Sequence, residues 1–517
     1  MTRYDLAVVG SGFAGSLIAL IARRLGLSVL LLEKGSHPRV VIGESSTPLS
    51  NLLLEELADR YNLPLIRPLA KWGSWQQSYP HLACGLKRGF SFFHHSLDET
   101  HNAAPRDDRH LLVAASPHDA IADTHWYRAD VDAWLVKQAQ DLGAHYIDRI
   151  TLSPPICESD GWTLVGMRGT QEHLLHARFL LDATGPRGFL HHAFQLQQLE
   201  FPEFPETCAL YSHFSGVGNF PSPAETPYPV NAAAMHHVFD GGWMWILQFN
   251  NGITSAGFAA TPKVSERFGF TGKEAAWDRL LHLLPEVQRQ FRGAKALRPF
   301  SFIPQLSFRS ATISGPGWAL MPSAAGFVDP LLSTGIALSL FGVSRLARLL
   351  EQSWNTLDFE RGIATYAKQT DEDLLATAHL IGALYRFLDD FPTFRALSLL
   401  YFAAASYSET VRRLGRPELA GSFLLRDHSH FGPESHRLLA RAQGQMSAEA
   451  RRTLEDDIYK LIEPFDVAGL SSRPTDFCYP VRADDLLAAR AKLGATSEEV
   501  KQLLERSDFY ATAPSAP

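Results

Sequence analysis

Tyr4-Asp5-Leu6-Ala7-Val8-Val9-Gly10-Ser11-Gly12-Phe13-Ala14-Gly15 is the stretch that decides the fold. Its first six residues read as a buried parallel strand. G-x-G-x-x-G follows at once, and Ser16–Leu25 continues with helical character. A second strand, Ser28–Leu32, ends at Glu33, 18 positions past the last glycine. Strand, glycine turn, helix, strand and terminal acid in this order describe a unit that binds a dinucleotide. Gly10 permits the tight turn, Gly12 lets the backbone approach a diphosphate, and Gly15 lets the helix lie close to the strand. Free N–H groups around Phe13 and Ala14, at the positive end of the helix, then face the phosphates. Glu33 can accept hydrogen bonds from a ribose. The motif by itself does not separate FAD from NAD.

The chain has 517 residues, too many for one compact core. Hydrophobic residues make up 45% and charged residues 20%, which excludes a disordered or fibrous chain. Net charge is −7 with no basic block, which argues against nucleic acid as a partner. The N-terminal apolar run breaks at Gly10, too early for a signal peptide, and no stretch reaches the ~18 apolar residues of a membrane span. Four cysteines, at 84, 157, 208 and 478, show neither C-x-x-C pairs nor metal-ligand spacing. They point to reduced thiols, a cytoplasmic location and no metal site. The neighbours His94-His95, His191-His192 and His236-His237 point apart on a strand or loop, so chelation is not expected.

Further motifs follow in order. Gly43-Glu44-Ser45-Ser46 precedes a helical run, Leu49–Tyr61; His125–Asp132, including Arg128, opens another helix. Phe179–Asp182 runs into Ala183-Thr184-Gly185, and Trp318–Leu320 leads to Phe327-Val328-Asp329-Pro330-Leu331-Leu332-Ser333-Thr334-Gly335-Ile336. Their order and spacing resemble the FAD-binding fold of single-component flavin monooxygenases. The closer resemblance is to the flavin-dependent halogenases. Gly43-Glu44-Ser45 resembles their G-E-S/A loop, and Phe327-x-x-Pro330-x-x-Ser333-x-Gly335 matches their F-x-x-P-x-x-S-x-G motif. Trp243-Met244-Trp245-Ile246-Leu247-Gln248 is similar to their W-x-W-x-I-P motif, departing at its last two positions. Ala83–Phe92 has a counterpart in the phenol-halogenating branch, which includes enzymes acting on phloroglucinol.

The resemblance implies an α/β fold of the GR2, monooxygenase-like type: a Rossmann-type parallel sheet, an antiparallel substrate sheet and a C-terminal helical region. Residues 1–350 form the flavin module, with substrate-sheet segments at about 81–110 and 195–300, and 351–517 cover the pocket. It implies an enzyme that uses FAD, reduced by a separate flavin reductase, with chloride or bromide as co-substrate and a small phenolic or other electron-rich aromatic as substrate. Gly10, Gly12, Phe13, Ala14, Gly15, Glu33, Gly43, Glu44, Ser45, Ser46, Arg128, Asp329, Gly335 and Ile336 are the cofactor-binding candidates. Arg128 contacts the cofactor or pairs with Asp132; the sequence leaves both open. Ser333, Thr334 and Gly335 are candidates for halide binding at a helix start, where a plain N-cap uses the same geometry.

Lys87 is the catalytic candidate. Leu86–Phe92 reads as one strand, with Lys87, Gly89 and Ser91 on one face and Arg88, Phe90 and Phe92 on the other. A lysine in an apolar tunnel can donate a hydrogen bond to hypohalous acid or, as a free amine, become a haloamine. A strand lysine is otherwise solvated. Trp243 and Trp245 share a strand face; they are stacked core rings or, as the resemblance implies, a wall between flavin and substrate. Leu332 stands where tryptophan halogenases carry an acid, so an indole substrate is disfavoured, and Pro322-Ser323 replaces the usual Gly-Asp. The altered Leu247-Gln248 end keeps a hydroxylating or epoxidising monooxygenase as the alternative, and Pro322-Ser323 a non-catalytic flavoprotein as another. A monomer or homodimer is expected. Leu374, Ala378, Ile381, Tyr385 and Leu388 repeat at helical spacing, Thr496-x-x-Glu499 is a capping box, Gly469–Pro480 reads as an excursion back to the pocket, and Ala511–Pro517 as a frayed tail.

Overall fold

The protein is described by a computed structural model that covers residues 2–97, 109–474 and 477–511. The tail expected at Ala511–Pro517 lies, after its first residue, outside the described residues. The opening stretch forms β1 (Arg3–Val9), α1 (Phe13–Arg24) and β2 (Val29–Leu32). β1 lies between β2 and the strand Gln171–Asp182, parallel to both. His145–Ile147 extends this parallel sheet beyond β2, and Trp318–Leu320 extends it on the other side. Every residue of β2 is buried, as expected of a strand covered on both faces. Two glycines explain the close packing at the turn. A Cβ at Gly10 would come within 2.5 Å of the Ala183 carbonyl, and one at Gly15 within 2.1 Å of the Gly10 carbonyl.

α2 (Pro48–Arg60) starts where Thr47 accepts from the Ser50 N–H, with proline at the first helical position. Next come β3 (Cys84–Lys87), β4 (Gly89–His94), β5 (His110–Ala114) and β6 (Asp123–Trp126). The single strand expected over Leu86–Phe92 is therefore two. The break is at Arg88, whose N–H donates to Ala232 and whose carbonyl accepts from Ala115. Among the described residues β3 pairs only with β6, in a two-stranded ribbon; β4 joins a second, mostly antiparallel sheet. That sheet runs Cys208–Ser215, Ile253–Ala260, Gly242–Gln248, Ala234–Phe239, β4, β5. Its border beyond β5 is closed by Cys478–Tyr479, the end of the expected excursion.

From Thr334 onward the chain is mostly helical. Thr334–Gln352, Leu357–Arg386 and Phe391–Arg413 are its longest helices. Leu374, Ala378, Ile381, Tyr385 and Leu388 are all buried, and Thr496 and Glu499 cap each other's backbone N–H groups reciprocally. One apolar core joins the parallel sheet to these helices. A second lies under the antiparallel sheet, centred on Phe258, Trp277 and Leu280. Among the described residues no helix is long and apolar enough to cross a membrane.

Candidate active site

Two adjoining cavities lie along the first glycine turn. One, of about 420 Å³, is lined by Gly12–Gly15, Gly43, Arg128, Asp329 and the Thr334–Ile336 helix start. The other, of about 610 Å³, is lined by Gly10, Glu33, Ile150 and Gly188. Arg39, Thr184 and Arg187 border both. The Arg39 Nε is buried without a partner, and a Cβ at Gly12 would lie 3.5 Å from guanidinium nitrogens of both Arg39 and Arg128. An elongated two-part cleft with a helix start, free backbone and, at its waist, a guanidinium that pairs with Glu33 at 3.6 Å and keeps a free Nε fits a dinucleotide whose diphosphate sits there. Glu33 accepts from the Ser11 N–H at 3.1 Å and hydroxyl at 2.9 Å and from the Gly35 N–H, so it also braces the turn.

Of the two options for Arg128, the structure shows the pairing with Asp132. Its guanidinium grips both Asp132 oxygens at 2.8 Å, donates to the Gly43 carbonyl at 3.0 Å and still faces the first cavity. Glu44 faces a third cavity, of about 90 Å³, and pairs with the buried His213 at 3.0 Å. Ser45 lines this third cavity too, whereas Ser46 lines none of the three and bonds to Thr124 of β6. The third cavity runs from Ser333, Gly335 and Ile336 past Gly43 to Trp243, Trp245, Leu247 and His236.

Lys87 is wholly buried. Its ammonium donates to the Ser45 hydroxyl at 2.9 Å and the Ser46 carbonyl at 2.5 Å, and lies 3.9 Å from the centre of the Phe90 ring. The break at Arg88 makes this contact possible, although alternation along one strand would have put Phe90 on the opposite face. Directly across the ribbon from Lys87 stands Asp123. Burial lowers the Lys87 pKa to about 7 against the pull of Asp123, and raises Asp123 to about 7 against the pull of Lys87. Burial, then the Lys87 charge, holds His125 well below the usual imidazole range, and the same two causes bring His236 down to about 3.

Trp243 and Trp245 share a strand face with ring centres 5.8 Å apart, and both are buried. The Trp243 indole donates to Asp329 at 3.2 Å. Asp329 also accepts from the Tyr385 hydroxyl at 2.9 Å and the Leu331 N–H at 3.0 Å. Burial raises its pKa to about 6 despite these bonds. Leu332 and Ser333 both adopt left-handed backbone, at φ 64° and 55°, which turns the chain sharply into the helix Thr334–Gln352. Ser333 makes no side-chain cap, so the plain N-cap reading fails and its φ is the reason: a capping residue is normally extended. The Glu158–Asp160–His176 grouping lines none of the three cavities, and Asp160 is met by Arg3 at 2.7 Å.

Residues 8–46 match the model of an NAD(P)-binding Rossmann-like domain, and residues 110–451 match that of tryptophan halogenase. The second match covers about two thirds of the chain, which therefore belongs to the tryptophan halogenase family of flavin-dependent halogenases, enzymes that use FAD and halide on aromatic substrates. The chain is 28% identical over 408 residues to monodechloroaminopyrrolnitrin halogenase PrnC of Pseudomonas fluorescens, covering 77% of this chain and 70% of that one. It is 28% identical over 387 residues to tetracycline 7-halogenase of Kitasatospora aureofaciens, covering 72% and 68%. In fold it is similar to halogenase PltM, solved with phloroglucinol and FAD, with TM-score 0.79, 23% identity, and 90% and 98% of the two chains covered.

Sequence reasoning missed Arg39, Asp123, His125, His213, His236 and Tyr385. His125 opens the segment His125–Asp132, His236 belongs to a named histidine pair and Tyr385 to a helical repeat, but none of the six carries a site role readable from its local sequence. Only the spacing of Asp123 and His125, two apart just before the Arg128 helix, offered a local signal.

Proposed function

We propose that this enzyme halogenates small phenols or comparably electron-rich aromatics, with Lys87 delivering the halogen. The observation that carries the reading is the burial of that amine beside Ser45, whose side lines a cavity reaching to the Ser333–Gly335 turn. Reduced FAD, when bound, supplies the oxygen activation that turns halide into hypohalous acid. The chain's own residues do the rest. Gly10, Gly12, Phe13, Ala14, Gly15 and Arg39 bind the diphosphate and Glu33 a ribose. Gly43, Arg128, Asp329, Gly335 and Ile336 orient the ring system, while Glu44, Ser45 and Ser46 shape the loop above it. Ser333 turns the backbone so that the N–H groups of Thr334 and Gly335, at the positive end of a long helix, hold the halide. Trp243, Trp245 and Leu247 form an apolar wall that keeps water and substrate from the ring.

At Lys87 two chemistries are open because burial pulls the amine's pKa well down from the ordinary lysine range. The ammonium donates a hydrogen bond to hypohalous acid, or the free amine takes the halogen and releases water. A phenol activates its own ring, so the apolar Leu332 costs nothing. Residues 1–350 act as the flavin module and 351–517 as its cover. A separate reductase delivers the reduced cofactor to a monomer or homodimer in the cytoplasm. The test is turnover with an FAD reductase, halide and phenols, with free hypohalous acid scavenged. Lys87→Ala should lose halogenation by at least about 100-fold, near 3 kcal/mol, while still consuming oxygen. Undiminished product from the variant removes Lys87 from the mechanism. Product that gains oxygen without halide makes the enzyme a hydroxylase.

A further inference from the structure

The ribbon of β3 and β6 places Lys87 opposite Asp123 and Gly85 opposite His125. Residues two apart share a face, so Lys87, Asp123 and His125 stand side by side on one surface, with the imidazole packed closely against Gly85, where a Cβ would lie 3.0 Å from it. All three are buried, at 0%, 5% and 1% exposure. Asp123 accepts from the Asn51 amide at 2.7 Å through one oxygen; its other oxygen has no partner. His125 has a backbone contact at Ala233, which leaves its other ring nitrogen without a partner. Two adjacent side chains thus carry two unpaired buried polar atoms beside the reactive amine. Interiors seldom tolerate one such atom, and a cluster of them is the mark of a group that arrives from outside.

We propose that Asp123 and His125 receive hydroxyl groups of the substrate, so that the enzyme selects arenes carrying two or more hydroxyls. The inference rests on the halogenase reading of Lys87 and names the recognition elements of the same site. A carboxylate oxygen accepts from a phenolic O–H. A neutral imidazole offers one donor and one acceptor, which a second hydroxyl meets with its lone pair or its proton. An ether oxygen can satisfy only the donor, and a carboxylated arene would face the Asp123 carboxylate across a dry gap, so both are disfavoured. The burial-raised pKa of Asp123 supports the fit, because a carboxyl near its midpoint can also donate.

The test uses a series that differs only in hydroxyl count: 1,3-dihydroxybenzene, 3-methoxyphenol and 1,3-dimethoxybenzene. Calorimetric titration of each into the full-length protein gives Kd without turnover. The diol is expected to bind at least tenfold more tightly than the dimethyl ether. Asp123→Asn and His125→Phe are expected to erase most of that preference, raising KM for the diol more than they lower kcat. Equal binding across the series in the unaltered protein overturns the inference, shows those atoms to be the partners of water only, and requires no folded variant. A protein that prefers the diol but never halogenates it refutes the proposed function and leaves this inference standing. Halogenation indifferent to hydroxyl count does the reverse.

Discussion

Asp329 holds three parts of the protein together through one carboxylate. It takes hydrogen bonds from the tryptophan wall, from the turn that leads to the helix Thr334–Gln352 and from Tyr385 of the C-terminal helices. Tyr385→Phe deletes one hydroxyl and leaves a buried oxygen without its partner. The loss should be about 1–3 kcal/mol of unfolding free energy, read as a lower denaturant midpoint with an unchanged slope. An unchanged midpoint would mean that water replaces the phenol. The motif serine, glycine and proline around Asp329 were legible in the sequence because they are local. Its partners were not. Tyr385 is 56 residues away and reaches Asp329 only because the helix Leu357–Arg386 packs against the flavin module. Lys87 is a similar case: the residue could be singled out, but not its neighbours Asp123 and His125.

At the scale of elements, the break between β3 and β4 and the change of sheet across it are what turn a strand lysine into a buried amine. Period-two reading fails across Arg88 because the two halves belong to different sheets, and nothing in Leu86–Phe92 itself marks the change except Gly89. The glycine before it, Gly85, is held by packing. A Cβ there would meet the Gln248 carbonyl at 2.1 Å and the His125 ring at 3.0 Å. Gly85→Ala must push β3 away from the substrate sheet, since neither backbone can yield. A cost of about 1–3 kcal/mol is expected, together with a displaced Lys87 and slower halogenation at unchanged FAD affinity. Full activity with unchanged thermal stability would show that the ribbon is softer than its packing suggests. The βαβ unit, by contrast, could be read directly, because turn, helix start and strand burial all lie within 33 residues.

The whole molecule encloses imidazoles that it keeps neutral. Burial lowers His95 and His236 to about 3 from an ordinary value of 6.5 and puts His125 and His237 well below that value. A depressed folded pKa means that the unfolded chain takes up the proton first. Stability from these groups is full above pH 6.5 and is lost as pH falls. Each contributes about 1.4 kcal/mol per pH unit. Asp329 and Asp123 work the other way, between their ordinary 3.8 and about 6 and about 7, offsetting two of the four. Loss of structure is expected roughly between pH 3 and 5, followed by far-ultraviolet dichroism, with about two protons taken up per chain. Stability that is flat down to pH 4 would contradict the neutral, enclosed state of these rings.

The strand Cys478–Tyr479 lies against β5, more than 360 positions earlier in the chain. During synthesis that seam stays open until the chain has grown past Tyr479. Nascent chains must therefore carry a bare strand border through more than 360 residues of elongation, the kind of surface along which partly made copies adhere to one another. Slow elongation or a stop just before Cys478 would hurt this enzyme's yield more than the same fault in a self-contained domain.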